Sequence, residues 1–275
     1  MNMKLPKIIE HMKNRSQGSL CVGGHRGHIP KAQIHPSSQV DKFYLDEPLL
    51  TEIIEVQENT VKNLELLRGS KISHAEIDLQ LSKDKIITVY HDLYFTYQGK
   101  KHKISDFNYS DLQRILGLNS LEEMLTFAKD EKLPLALELK LLDSESMDRV
   151  EQLIKELLSL LHDFDFFDWS FILSVRHAVL YQLKKLETRV NLAPIFTKTY
   201  PDPVRQMEEI NALIYLSAVE NLSIESVADL HQNGYYVDGS VVNSVSRLNK
   251  ALSLPVDILE SDAPLAVLDW IENRK

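Results

Sequence analysis

The chain has a single cysteine, Cys21, among 275 residues, so no internal disulfide framework exists and packing and polar contacts must hold the fold. No apolar run approaches the roughly 18–20 residues needed to span a bilayer. Lys4, Lys7, Glu10, Lys13 and Arg15 break up the first 18 residues. That excludes a secretory signal and leaves the cytoplasm as the expected compartment. Positive charge is also scarce: the net charge is −9 and there is no basic stripe, so nucleic acid is not an expected partner. A small anionic ligand stays open, because a local metal ion and a few Arg or Lys side chains overrule the global sign. Internal repeats, low-complexity segments and obvious linkers are absent. No glycine-rich phosphate turn follows the first expected strand, which removes the main argument for a doubly wound open sheet.

What is present suffices for a full core. The composition is 44% hydrophobic and 26% charged, adequate for one unstapled domain of this size. From residue 20 onward, short apolar runs alternate with amphipathic helical patterns. Strands are expected at 20–24, 73–81 with a paired run at 86–90, 133–140, 170–175, 190–196, 212–217, 235–242 and 256–259. Helices are expected at 58–68, 121–129, 144–161, 178–186, 201–209, 224–231, 245–252 and 265–271. Some eight strand–helix units call for a parallel TIM (β/α)8 barrel. Residues 1–19 read as an N-terminal helical segment whose Leu5, Ile8, Ile9 and Met12 fall at helical spacing, an apolar face expected to pack on the barrel floor rather than to touch a membrane surface. Residues 20–275 read as a single barrel domain. Cys21, inside a buried strand, is assigned to packing rather than to reactivity.

Glu76 and Asp78 stand two apart in an expected strand, so both carboxylates share one face. Two acids so placed repel each other and call for a cation or a shared proton. The run at 86–90 delivers His91, able to move protons near neutral pH, at its far end. The blander reading is a solvent-facing edge strand with a surface histidine. Two further strands weigh against it: 20–24 runs into His25 and Arg26, and 133–140 carries Glu138 and Lys140. Ionisable groups at the C-terminal ends of successive strands are what a barrel active site needs. Glu76, Asp78 and Glu138 form a hard-oxygen set suited to Mg²⁺ or Ca²⁺. His25 and His91 can flank a phosphate as proton donor and acceptor. Arg26 offers a planar fork of donors and Lys140 a point charge.

Five motifs in this order (His25-Arg26-Gly27, Glu58-Asn59-Thr60, Glu76-Ile77-Asp78, His91-Asp92, Glu138-Leu139-Lys140) resemble the glycerophosphodiester phosphodiesterase family, from about residue 20 to the end. The resemblance implies a PLC-like phosphodiesterase barrel, a divalent metal on Glu76, Asp78 and Glu138, and a supporting role beside the substrate for Glu58. It also implies a small-molecule phosphodiester as substrate. Residues 257–264 resemble the family's closing strand, and Asn243 keeps the Asn of a late motif in which Ser240 stands where relatives often have Trp. Three functions follow as alternatives: a metal-dependent phosphodiesterase, a lysophospholipase D-like or cyclising lyase, and a silent barrel that binds a phosphorylated ligand.

Two stretches fall outside the expected units. Residues 91–118 read as a loop with Lys100, Lys101, His102 and Lys103 grouped as a solvated charge run. Residues 28–57 form a long connection with Pro30, Pro36 and Pro48 and a possible helix at 49–56, longer than relatives carry there. Phe43, Tyr44 and Leu45 give it an apolar patch beside Asp41, Asp46 and Glu47, and its position after the first strand makes it an expected lid. Replacing 28–57 by a short Gly-Ser turn should therefore reorder a substrate panel while leaving divalent-ion binding intact. An unchanged ranking would mean that the insertion packs outside the barrel.

Overall fold

The computed structural model of the chain describes residues 5–18, 20–27 and 57–273; the expected lid, apart from Gln57, lies outside them. The strands are β1 (Cys21–Gly24), β2 (His74–Leu81), β3 (Ile87–Val89), β4 (Phe95–Tyr97), β5 (Lys100–His102), β6 (Leu135–Leu139), β7 (Ser170–Ser174), β8 (Leu192–Phe196), β9 (Ile214–Ser217), β10 (Tyr236–Asp238) and β11 (Ile258–Ser261). The helices are α1 (Lys7–Ser16), α2 (Val61–Leu64), α3 (Tyr109–Leu116), α4 (Leu121–Asp130), α5 (Met147–Asp163), α6 (His177–Leu186), α7 (Pro203–Ile210), α8 (Ile224–Gln232), α9 (Val245–Leu252) and α10 (Pro264–Glu272). Parallel pairing runs β1-β11-β10-β9-β8-β7-β6-β2, and β2 returns to β1. Eight parallel strands thus close on themselves, as the alternating pattern implied.

Strand alternation sorts the side chains. Ala75, Ile77, Leu79 and Leu81 of β2 point outward into the layer shared with the helices, where they join Leu153, Ile154 and Leu157 of α5. The barrel interior holds Cys21, Ala136, Phe171, Leu173, Ala193, Ile214, Leu216 and Ile258, closed below by Ile8, Ile9 and Met12 of α1. The amphipathic face of α1 is therefore the barrel floor. Arg15 fastens its C-terminal end by donating to the carbonyls of Ile72 and Glu131 at 2.7 and 3.1 Å, and His11 stacks on Trp169 at 3.6 Å. Cys21 is buried and its thiol is pushed up to about 11 by desolvation, which fits packing. Among the described residues no helix is long and apolar enough to cross a membrane.

Most expected elements form within a few residues of their expected bounds, but two do not. The helix expected at 58–68 shrinks to α2 and a 3-10 turn, Glu65–Leu67. Its cap is Thr60, whose side chain accepts from the backbone of Asn63, so Glu58 stays outside and is free for the site. The loop expected at 91–118 instead folds as the β4–β5 hairpin and α3 around Phe95, Ile104, Leu112 and Leu118. The hairpin turns through Gln98 and Gly99, both at positive φ (50° and 74°), the two-residue geometry whose sequence signal is normally Asn-Gly or Asp-Gly. With Gln first, that signal is lost in the sequence.

Short β1 and long β2 together shape the mouth. β1 stops with Gly24 opposite Ala75, so the upper half of β2 is free on that side and takes antiparallel β3 instead, Leu79 facing Val89. This pairing carries the chain to His91. Because α1 supplies much of the interior packing, Ile9→Ala should cost about 2–5 kcal/mol, the range for emptying a large aliphatic site in a core, measured by denaturant melts.

Candidate active site

β2 differs from the other barrel strands in turning four polar residues (His74, Glu76, Asp78 and Gln80) to the lumen, all of them buried. Each is held by a neighbouring element. Gln80 donates to the carbonyls of Tyr90 and Asp92 at 2.8 and 2.9 Å, fixing the turn that bears His91. Asp78 is clasped by Asn59, whose amide donates to Oδ2 at 2.7 Å and accepts from the Asp78 backbone N–H at 3.1 Å. Asn59 thereby satisfies backbone that short β1 leaves unpaired. Its φ of 60° is a conformation asparagine tolerates better than most residues.

The turn after β1 has a similar logic. Gly27 has φ 86°, and a Cβ there would lie 1.7 Å from Asn63 Oδ1, so only glycine fits. The curl aims the Arg26 backbone N–H at Glu76 Oε2, 2.8 Å away. The Arg26 guanidinium meets Glu58 at 3.2 Å and lies 3.9 Å from Asp78. His25 donates from Nδ1 to Asp262 Oδ1 at 2.6 Å, which leaves Nε2 facing Glu76 at 4.0 Å. Asp262 is itself gripped by Asn243, whose amide donates to Oδ2 at 2.6 Å. On β6, Glu138 accompanies Lys140, whose Nζ is 2.8 Å from Glu138 Oε1 and 3.1 Å from Asp78 Oδ1. His91 bonds Asp92 through Nδ1 at 2.8 Å.

Glu76, Asp78 and Glu138 each offer an oxygen within 4.8 Å of the others. Burial, reinforced by Asp78, holds the Glu76 carboxyl well above the usual carboxylate range. Burial likewise raises Glu138, with Lys140 opposing and Asp78 assisting. For Asp78 burial also pushes upward, but Lys140, His91, His25 and the Asn59 bond outweigh it and the net direction is down. Among the described residues the buried Glu76 Oε1 has no hydrogen-bond partner. Crowded carboxylates with an orphaned buried oxygen suit a hard divalent cation, so the donor set fits the metal that the sequence implied.

The two histidines differ. Desolvation opposes charge on His25, but the bond to Asp262 and the nearby acids prevail and lift it to about 9. Desolvation lowers His91, with Asp78 pulling the other way and Lys140 and Arg26 adding to the fall. Beside these groups a cleft of about 280 Å³ opens between His25, Glu76 and Glu138 on one side and Leu173, Ile195, Phe196, Leu216 and Val241 on the other.

The structure brings His25, Arg26, Glu58, Glu76, Asp78, Glu138 and Lys140 into one contact network, with His91 electrostatically coupled to it. Sequence reasoning named none of Asp262, Asn59 and Asn243 as site residues, although all three orient members of the network. Asp262 was legible in principle: it follows the last strand, where an ionisable group belongs to the mouth like the others. Asn59 and Asn243 gave no signal beyond their motifs, since an amide pattern does not reveal its acceptor.

A family model described as the glycerophosphoryl diester phosphodiesterase family matches residues 25–266. No curated protein matches the chain. Solved structures share its fold. A Silicibacter pomeroyi protein provisionally assigned as a glycerophosphoryl diester phosphodiesterase has a TM-score of 0.77 at 15% identity, covering 98% of both chains. A glycerophosphodiester phosphodiesterase from Parabacteroides distasonis has 0.73 at 18%, covering 93% of this chain and 98% of its own. An Oleispira antarctica phosphodiesterase, solved with its product sn-glycerol-3-phosphate, has 0.71 at 19%, covering 94% and 99%. At these identities the structural likeness carries the fold alone.

The His25–Asp262 pair makes a signed prediction for the metal-free protein. A histidine raised to about 9 adds stability that is fully present below its unfolded value near 6.5 and is lost as pH rises through 9. Asp262→Asn should therefore lower Tm most at pH 5–6.5, and its deficit should shrink above pH 9, checked by melts across that range in chelator.

Proposed function

The chain belongs to the glycerophosphoryl diester phosphodiesterase family and is a phosphoric diester hydrolase, and from that premise we propose metal-dependent hydrolysis of a glycerophosphodiester or similar small phosphodiester. The products are an alcohol and a phosphomonoester. What supports it above all are the three converging carboxylates, with a Glu76 oxygen that has no partner among the described residues. The glycerol phosphate bound by the Oleispira antarctica protein supports the substrate class.

In this reading Glu76, Asp78 and Glu138 hold Mg²⁺ or Ca²⁺, which when bound supplies charge neutralisation to the phosphate oxygens. Arg26 and Lys140 place two further cations at the mouth, and Glu58 keeps the Arg26 fork in place. His91, whose burial favours the neutral imidazole, accepts the proton of the attacking water as its oxygen bonds to phosphorus. His25, held as the imidazolium by Asp262, donates its proton to the departing alkoxide as the ester P–O bond breaks. Environments that push two titratable groups apart in this way assign acid and base. Residues 20–275 serve as one phosphodiesterase domain with residues 1–19 as its N-terminal segment, acting in the cytoplasm on lipid-derived diesters.

A phosphodiester panel assayed with Mg²⁺, Ca²⁺ and excess chelator is the test. Turnover should vanish in chelator, and Asp78→Asn or Glu138→Gln should lose divalent-ion binding. Activity should fall by at least about 100-fold, the upper end of what losing an outer-shell partner costs. The metal-free Tm should hold or rise for Glu138→Gln, whose carboxyl is raised, and fall for Asp78→Asn, whose lowered carboxylate is supported by Lys140 and Asn59. Full turnover in chelator overturns the metal role. A cyclic phosphate product in phosphorus NMR replaces hydrolysis by cyclising transfer.

A further inference from the structure

Directly beneath the acids lies a second buried pair that the reaction as proposed does not use. His74 of β2 and Glu260 of β11 are almost wholly inaccessible, at 0% and 2% exposure, and His74 Nε2 meets Glu260 Oε1 at 3.1 Å. They come from strands that are not neighbours: β1 runs between them. Gly23 of β1 is in register with both residues, and its missing side chain lets the imidazole cross. A Cβ on Gly23 would lie 2.2 Å from the His74 ring. The ring is fixed from its other partners too, with Ser73 Oγ 2.8 Å from Nδ1 and the Phe171 ring centred 5.4 Å away. Glu260 is fixed through its backbone N–H, which donates to Ser240 Oγ at 2.7 Å.

Two residues further along each of these strands, on the same lumenal face, the row repeats at the mouth. Glu76 follows His74, His25 follows Gly23, and Asp262 follows Glu260. The lower row thus ties together the two strands that flank β1, one bearing an acid of the triad and the other the carboxylate that holds His25. We infer that His74 and Glu260, paired across Gly23, are positioning residues that hold Glu76 against the His25–Asp262 pair; the inference rests on the proposed role of the acid triad. Without the tie, Glu76 and His25 each keep their chemistry and lose their fixed separation.

Removing one partner strands a buried polar group, so the informative variant replaces both. His74→Leu/Glu260→Leu exchanges a buried hydrogen-bonded pair for apolar packing and leaves neither partner stranded, a change that is often neutral or stabilising. In the full-length protein its Tm should be no lower than wild type, while the dissociation constant for Ca²⁺, measured by calorimetry without substrate, rises about 10–100-fold, the usual cost of losing an outer-shell partner. The turnover number should fall by a similar factor with KM changed less. Glu260→Gln, which keeps an acceptor for His74, should recover most of both losses, and Gly23→Ala should reproduce them by displacing the ring. A folded double variant whose Ca²⁺ affinity and turnover number both stay within about two-fold of wild type overturns the inference. Failure of the wild-type chain to bind either ion would overturn the triad itself, and that result is read before any variant is made.

Discussion

Three carboxylates share one buried pocket, and nearly everything around the mouth is arranged to make that tolerable. Burying like charges within 4.8 Å of each other is unfavourable unless counter-charge and hydrogen bonds offset it. Lys140 stands between Asp78 and Glu138, Arg26 directs its backbone amide at Glu76 and its side chain toward Asp78, and Asn59 clasps Asp78 from both sides. The compensation is uneven. Asp78 ends up with a lowered carboxyl, whereas Glu76 and Glu138 end up raised. That residual demand for positive charge is the physical case for a cation.

The same constraint explains the two histidines. His25 sits between Glu76 and Asp262, so its positive form is supported from both sides. His91 arrives on a turn off β3 and pairs with Asp92, a neighbour 67% exposed along its side chain, so solvent weakens that support. Two residues of one type are thereby given opposite tendencies by position alone, with no difference in their chemistry.

Support for the site reaches down into the barrel. Parallel barrels fill their interior with apolar layers, as β7, β8 and β9 do here with Phe171, Leu173, Ala193, Ile214 and Leu216. The β1, β2 and β11 side instead stacks two polar rows. This asymmetry gives the cleft one ionic wall and one apolar wall, and it places the rigid α1-plugged floor beneath both.

The sequence alone determined the barrel, because eight amphipathic repeats can bury their apolar faces in few other ways. It also determined the acids and histidines of the mouth, because a side-chain period of two puts Glu76 with Asp78 and Glu138 with Lys140 whatever the strands pair with. The N-terminal helix was legible for the same reason, its apolar face having a fixed period. What the tertiary structure decided are the relations between distant segments. Asp262 reaches His25 across 237 residues, and Asn59 completes the ladder that β1 leaves unfinished. His74 carries no motif of its own, and only Gly23, in register, opens its way to Glu260. The 95–116 hairpin and helix stayed hidden because a Gln-Gly turn carries a weak local signal and its cluster forms only once Phe95, Ile104 and Leu112 meet. Periodicity is a property of one segment, whereas a hydrogen-bond partner is set by closure of the barrel, which no single segment encodes.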